Sequence, residues 1–345
     1  DSMKALFLAS AIAVVLLGTA GPVGGATLYW DTNGTTAGFG NTAGTWGTGG
    51  DAWWTTDSSG NFATGGTALT TPADVLHINQ SNLAGFSMTV SGNVDALRMV
   101  FPDGSPTPVI NGSATIHVYT SGSDPVVAGG GNLSTTITPN LVLEASVGST
   151  VTLSSGGGNQ GTATYNGAIT STNMVNMLFN RPSALFLNGT VDLQGGNFLS
   201  GSGGTNRPKL HTIAAGVLGS GVHDVVRSGT QGGHSTDKGR LVLNATQAYT
   251  GDTFLEDSII QLLANTSLPT TTSVFLTDTA AVGSPLIELN FTGINDISGL
   301  NFLGVEQSPG TWGAIGNVST DFQSSFFTGT GALRVVGIPE PGSLA

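Results

Sequence analysis

The chain of 345 residues contains no cysteine. That removes disulfide frameworks, thiolate metal sites and cysteine nucleophiles, and it says nothing against export. Charge is scarce too: 9% of residues are charged, with 9 basic side chains against 21 acidic ones and a formal net charge of -12. So few cations cannot neutralise a run of nucleic-acid phosphates or grip anionic lipid, so neither partner is expected. The helix formers Lys, Glu and Arg are correspondingly rare. What fills the chain instead is Thr, Ser, Asn and 53 glycines, with 39% hydrophobic residues. Polar filler at low charge can mean disorder, but this apolar fraction is enough to bury a core. Strands and turns suit such a composition, and the expectation is an all-β chain.

The N-terminus carries the longest apolar run. Lys4 supplies a positive start, Ala5 to Leu17 is apolar, and Gly18 to Ala26 is rich in small residues. This is the pattern of a secretory signal peptide over residues 1–26, too short to span a bilayer comfortably. Cleavage is expected after Ala26, with Ala20 as the alternative. No stable membrane span is expected elsewhere in the chain.

The most informative stretch runs from Gly239 to Pro269. Leu241 and Leu243 alternate around Val242, a Tyr249-Thr250-Gly251 corner follows, and Ile259, Ile260, Leu262 and Leu263 lead to Asn265. Two short extended segments joined by such corners cannot bury their apolar sides alone, so each must lie on one turn of chain and carry the next. The stretch resembles the autotransporter-associated β-strand repeat, with its Leu-x-Leu strand, Tyr-Thr-Gly corner and apolar run ending near Ala-Asn. Asp252 stands where that family usually has a second Gly, a tolerable turn substitution.

Short alternating pairs recur outside this stretch: Met88-x-Val90, Leu97-x-Met99, Ile116-x-Val118, Leu141-x-Leu143, Val151-x-Leu153, Leu185-x-Leu187, Val191-x-Leu193, Val274-x-Leu276 and Ile287-x-Leu289. Period-two alternation marks strands with one buried face. The Asn-Gly and Gly-Ser pairs between them could mark hairpins. Numerous, uniformly short, nearly uncharged strands favour a solenoid with a turn of roughly twenty to thirty residues, hence about eight to twelve turns from Met88 to Leu333. The expected architecture is therefore a right-handed parallel β-helix (β-solenoid). Residues 27–101 would form its cap and first turns, 102–299 the repeats and 300–337 a closing module. Ser154 to Gly161 and Gly195 to Asn206 read as loops leaving the stack.

Both ends carry aromatic signals. Tyr29, Trp30, Trp46, Trp53 and Trp54 sit among Gly, Thr and Asp, and proteins of the repeat family often begin with a similar run. Open solenoid ends expose core and strand edges, so a plug of the first turn is preferred to a sugar-stacking platform. Near the other end, Pro309-Gly310-Thr311-Trp312 reads as a turn and Gly329-Thr330-Gly331-Ala332-Leu333 as a last strand, similar to a closing module of such surface proteins. Residues 338–345 then resemble the start of a PEP-CTERM sorting signal, through Pro339, Glu340 and Pro341. That resemblance implies processing by an exosortase-like membrane protease and association with extracellular polysaccharide or biofilm. Two prolines around one residue would in any case force the chain out of a central strand.

Catalytic signals are thin. β-Helices can carry polysaccharide lyases and hydrolases, which need convergent carboxylates and a proton-transfer group. The candidates are Asp192, Asp224, Arg227, Asp237 and Lys238, with His211, His223 and His234 nearby; the densest group is His223 to Arg227. Their spacing matches no repeated position, so turn and surface roles are preferred. His77, His117, His211, His223 and His234 show no zinc-type spacing. Nor is there a repeating Gly-Gly-x-Gly-x-Asp calcium motif or a Gly-x-Ser-x-Gly elbow. The expectation is an exported, non-enzymatic structural or adhesive protein without cofactor or metal. Its partners would be polysaccharide, the sorting protease, and copies of itself in an oligomer or filament. Two readings compete: a polysaccharide-degrading enzyme on the same fold, and an autotransporter passenger, which would require a C-terminal membrane barrel.

Overall fold

In the computed structural model, the strands of consecutive turns stack in register. The structure describes residues 25–337 apart from 41–42, 62–65, 81–84, 102–107, 121–125, 130–133, 155–161, 181–183, 202–209, 214–216, 219–225, 230–239, 257 and 279–284. Among the described residues every regular element is a strand, and no helix is long and apolar enough to cross a membrane. Most strands fall into three sheets of 13, 11 and 6, whose ladders are almost entirely parallel. The chain visits these sheets in rotation: Val75–His77 in the first, Ser87–Ser91 in the second, Val94–Ala96 in the third, then Arg98–Phe101 back in the first. This is a solenoid-like winding, and the hairpin alternative is excluded by the parallel pairing.

Register fixes the length of each turn. In the first sheet, turns after Leu76 take from 21 residues (Met177 to Phe198) to 28 (Phe198 to Val226), and in the second, from Met88 to Ile287, the range widens to 19 (Leu241 to Ile260) and 30 (His211 to Leu241). The first turn is longer, 48 residues from Leu28 to Leu76, because it contains the tryptophan cap. From Ser87–Ser91 onward the second sheet holds ten strands, within the expected range. At about 4.8 Å per strand, the nine steps between these ten strands make a stack of roughly 43 Å.

The core is the space between the sheets. Alternation sends Leu141 and Leu143, Leu185 and Leu187, Leu241 and Leu243, and Ile287 and Leu289 inward, all fully buried. Like side chains stack from turn to turn: Leu153 lies over Phe179, Met177 over Phe198, Leu255 over Leu276, and Leu276 over Phe302. Such cross-strand pairs are the unit of sheet stabilisation, here repeated along the stack. Turn corners bring backbones close together. A side chain at Gly47 (φ 115) would put its Cβ 2.2 Å from the Ser91 carbonyl oxygen.

The tryptophans close the first turn from within. Trp30, Trp46 and Trp54 are fully buried and pack edge to face, Trp30 on Trp54 at 5.1 Å and Trp46 on Trp54 at 5.6 Å. Trp54–Thr55 also pairs antiparallel with Thr27–Trp30, covering the edge of the first sheet. Three of the expected plug's rings are thus buried; Trp53 is only partly so. Ala26, the expected cleavage position, lies inside this fold. Its N–H donates to Asp74 Oδ1 (2.9 Å) and its carbonyl accepts from the Val75 N–H (2.9 Å).

Three local expectations are corrected. Leu97 does not alternate with Met99: it sits at a bend with its N–H bonded to the Asp74 carbonyl, and the inward pair is Met99 and Phe101. Within Gly195 to Asn206, Phe198–Gly201 is a strand of the first sheet with Phe198 buried, because the stacked Met177 and Phe179 offer it an apolar face. Pro309-Gly310-Thr311-Trp312 is not a turn. Gly310–Ala314 is a strand antiparallel to Ala332–Val335, and Trp312 packs on Phe302 (5.4 Å) and Phe322 (4.6 Å). Ala332–Val335 in turn lies parallel to Ile294–Ile297.

Candidate functional site

The third sheet stops at Val217–Leu218. After Arg240–Leu243 the next two passages along the third side, residues 244–252 and 263–272, are corner segments before strand returns at Ile294–Ile297, and the reason is local. Pro269 cannot donate to a ladder, and the Thr, Ser and Asn residues around it bond their own or neighbouring backbone. Ala264 N–H donates to Ser267 Oγ (3.0 Å), and Ser267 Oγ donates to the Leu243 carbonyl (3.1 Å). Inside the corner, Tyr249 is buried with its hydroxyl 2.5 Å from Thr253 Oγ1, which lies 3.1 Å from Thr272 Oγ1. Burial pushes the Tyr249 phenol well above its ordinary range, so it remains a neutral part of the core.

Where strands give way to corners, a groove of about 440 Å³ opens, lined by Thr246, Gln247, Asn265, Thr266, Leu268, Pro269, Thr270, Ile294, Asn295 and Asp296. Its walls are tied turn to turn. Thr246 and Thr266 hydroxyls are 2.8 Å apart, and Asn295 holds Leu268 at both backbone groups, accepting its N–H and donating to its carbonyl at 2.9 Å each. Asp296, the one carboxylate in the lining, is held by Arg334 from the last strand. The lining is hydroxyl, amide and short apolar surface with its single charge already paired. That suits an uncharged, polyhydroxylated ligand, and the volume falls in the range of about 300–1,000 Å³ for small-molecule sites.

Of the residues singled out for catalysis, the three that the structure describes fall on three different sheets. Asp192 is on the third sheet, His211 on the second and Arg227 on the first. Asp192 spends its carboxylate on Gln194, accepting the backbone N–H (3.0 Å) and the side-chain amide (3.1 Å). Asp224, Asp237, Lys238, His223 and His234 lie outside the described residues, as do Pro339, Glu340 and Pro341.

A titratable cluster on the third sheet was not anticipated. His117 Nδ1 is 3.0 Å from Glu144 Oε1, Thr172 Oγ1 donates to Glu144 Oε2 at 2.8 Å, and Asp95 lies in register beside His117. Burial, then the neighbouring Asp95 and Glu144 carboxylates, raise the pKa of Tyr119. The signal was present only as the vertical register between turns.

No protein family, curated protein or solved structure matches this chain.

Proposed function

We propose that this is an exported, non-enzymatic structural or adhesive protein of the cell surface or extracellular matrix, wound as a right-handed parallel β-helix and associated with polysaccharide. The hand follows from the strong preference for right-handed crossovers between parallel strands of one sheet. The observation that carries the glycan reading is the corner groove: neutral hydroxyls and amides over a short apolar floor, with Asp296 neutralised by Arg334. Export rests on the pattern of residues 1–26, and sorting by an exosortase-like protease rests on the resemblance at Pro339, Glu340 and Pro341.

The test is retention on immobilised neutral polysaccharide, with Gln247→Ala and Asn265→Ala as groove variants. Retention lost in both variants while their melting temperatures hold supports the reading; no retention of the wild type on any neutral glycan sinks it. Sorting is tested separately by Glu340→Ala in an exosortase-bearing host, which should leave the C-terminal segment unprocessed by mass spectrometry.

A second reading, polysaccharide cleavage, is favoured by the third-sheet cluster. Asp95 and Glu144 sit on strands two apart and two residues out of level, about 12 Å between backbones, with His117 and Tyr119 on the strand between. Release of reducing or unsaturated sugar ends that Glu144→Gln abolishes would establish it.

A further inference from the structure

Among the described residues, Asp31 is the carboxylate of the aromatic cap with a buried oxygen left without a partner. Asp31 follows the first strand directly and is 0% exposed. Its Oδ1 accepts the N–H groups of Asn33 (3.0 Å) and Gly40 (3.1 Å), so the loop from Asp31 to Gly40 is folded back onto this one oxygen. Its Oδ2 is buried and has no hydrogen-bond partner among the described residues, and the same holds for the side-chain oxygen of Asn33. Asp74 in the same cap shows the contrast: one oxygen accepts from Ala26, the other from both the backbone and hydroxyl of Thr71.

A charge removed from water is held in proteins by a partner charge or a metal ion. No Lys or Arg occurs between Thr27 and Leu97 while five Asp do, and the next cation, Arg98, stands in the sheet level with Thr27, four residues before Asp31. Two orphaned oxygens, one anionic and one amide, two residues apart in a tight loop are the donor types and spacing that hard oxygen-binding cations use. Nitrogen and sulfur ligands are not part of the set, which disfavours zinc and copper. An irregular pair of oxygens favours a geometrically tolerant cation over magnesium, which demands near-ideal octahedral coordination.

We propose that the Asp31–Gly40 loop binds a calcium ion through Asp31 Oδ2 and Asn33 Oδ1, and that the ion fastens the tryptophan cap onto the first turn. This departs from the expectation of no metal, which was read from a missing repeat motif; a single loop leaves no such periodic trace. The site is independent of the glycan groove. Because it offers one formal charge, affinity should sit near the weak end, with dissociation constants of about 0.1–1 mM as in extracellular calcium modules.

The buried Trp30, Trp46 and Trp54 provide the readout. Terbium titrated into the full chain, excited through tryptophan, should give sensitised emission that calcium displaces and magnesium displaces poorly. Calcium at about 10 mM should raise the melting temperature relative to chelator. Asp31→Asn should abolish both responses, and Asp57→Asn, on a surface turn, should leave them intact. Should Asp31→Asn fail to fold, Asn33→Asp decides. Its added charge should tighten the calcium midpoint about tenfold, and an unchanged midpoint overturns the proposal. A wild type that melts identically in calcium and chelator also overturns it. Emission that survives Asp31→Asn undiminished would place terbium on the acidic surface instead, and it overturns the proposal equally.

Discussion

Arg334 meets Asp296 in a fork, its Nε and one terminal nitrogen each 2.8 Å from a different carboxylate oxygen. The contact reaches from the last strand to the wall of the groove, so the closing strand both seals the stack and neutralises its candidate site. Both side chains are partly exposed, and an exposed ion pair contributes little to stability. Its larger consequence is electrostatic. Arg334→Gln should leave binding of a neutral polysaccharide within a factor of about three and weaken an anionic one about tenfold at low salt. Affinity electrophoresis at two ionic strengths measures this, and equal effects on both glycans would separate Asp296 from ligand binding.

Leu243 tests the core register. It is 0% exposed and pairs in parallel with Ile213 and Leu262. Leu243→Ala should destabilise by about 2–5 kcal/mol, the range for a buried leucine. Leu263, one position past the following strand and 38% exposed, is the control. Leu263→Ala should cost at most about 0.5 kcal/mol. Denaturant titration of both variants checks the register, and comparable losses would mean it is wrong.

His77 predicts a pH dependence. Burial first, then repulsion from Arg98, lowers its pKa below the ordinary 6.5, with a Gln80 hydrogen bond opposing. The folded state therefore disfavours the imidazolium, and between the folded and unfolded pKa values the unfolded chain binds more protons. Stability should rise with pH through that window and fall as pH drops below about 6.5. Asp57 and Asp321 act elsewhere. Hydrogen bonds lower their pKa values below 3.8, so their contribution is lost only in stronger acid. Melting curves of wild type and His77→Gln from neutral to mildly acid pH should diverge, the variant being flatter. Parallel curves would show that His77 is freely solvated.

The parts of this fold that were legible are those with a local cause. Leu241 and Leu243 announce a half-buried strand because period two and burial coincide, and the tryptophans announce a plug because so much apolar surface has to be covered. The groove was not legible, because Thr246 and Asn265 come from two corners and Ile294 from a strand of a later turn, and they meet only when the turns stack. Unequal turns hide the third-sheet cluster in the same way. Asp95 to His117 is 22 residues, whereas Val142 to Thr170 is 28, so no fixed offset reveals vertical neighbours. Phe198 was missed because flanking glycines read as a loop while its burial comes entirely from the turn beneath.

If residues 1–26 carry the expected signal peptide, cleavage after Ala20 is more compatible with this fold than cleavage after Ala26. Cutting after Ala26 would delete the residue whose N–H and carbonyl bond Asp74 and Val75. The new, charged terminus would then sit at the start of the first strand. Cleavage after Ala20, the other small-residue site, keeps both bonds. N-terminal sequencing of exported protein should therefore begin at Gly21, and a start at Thr27 would show that the first strand tolerates the loss.

Self-association should use the C-terminal end alone. A solenoid has two ends, and here they differ. The N-terminal end is packed with Trp30, Trp46 and Trp54 and blunted by the antiparallel Trp54–Thr55 strand. At the other end Leu303, Val305, Ile315 and Val318 are exposed, Val318 at 92%, and the first sheet finishes on the short Val305–Glu306 strand. Exposed apolar side chains concentrated in the segments that follow the last turns are candidates for an association surface. One adhesive end per chain closes as a two-fold dimer, whereas two would propagate a filament. Light scattering at increasing concentration should rise toward twice the monomer mass and level off. Ile315→Lys with Val318→Lys should hold the protein monomeric without lowering its melting temperature. A wild type that stays monomeric at high concentration refutes the idea, and mass that grows without limit would mean that the tryptophan cap fails to seal its end.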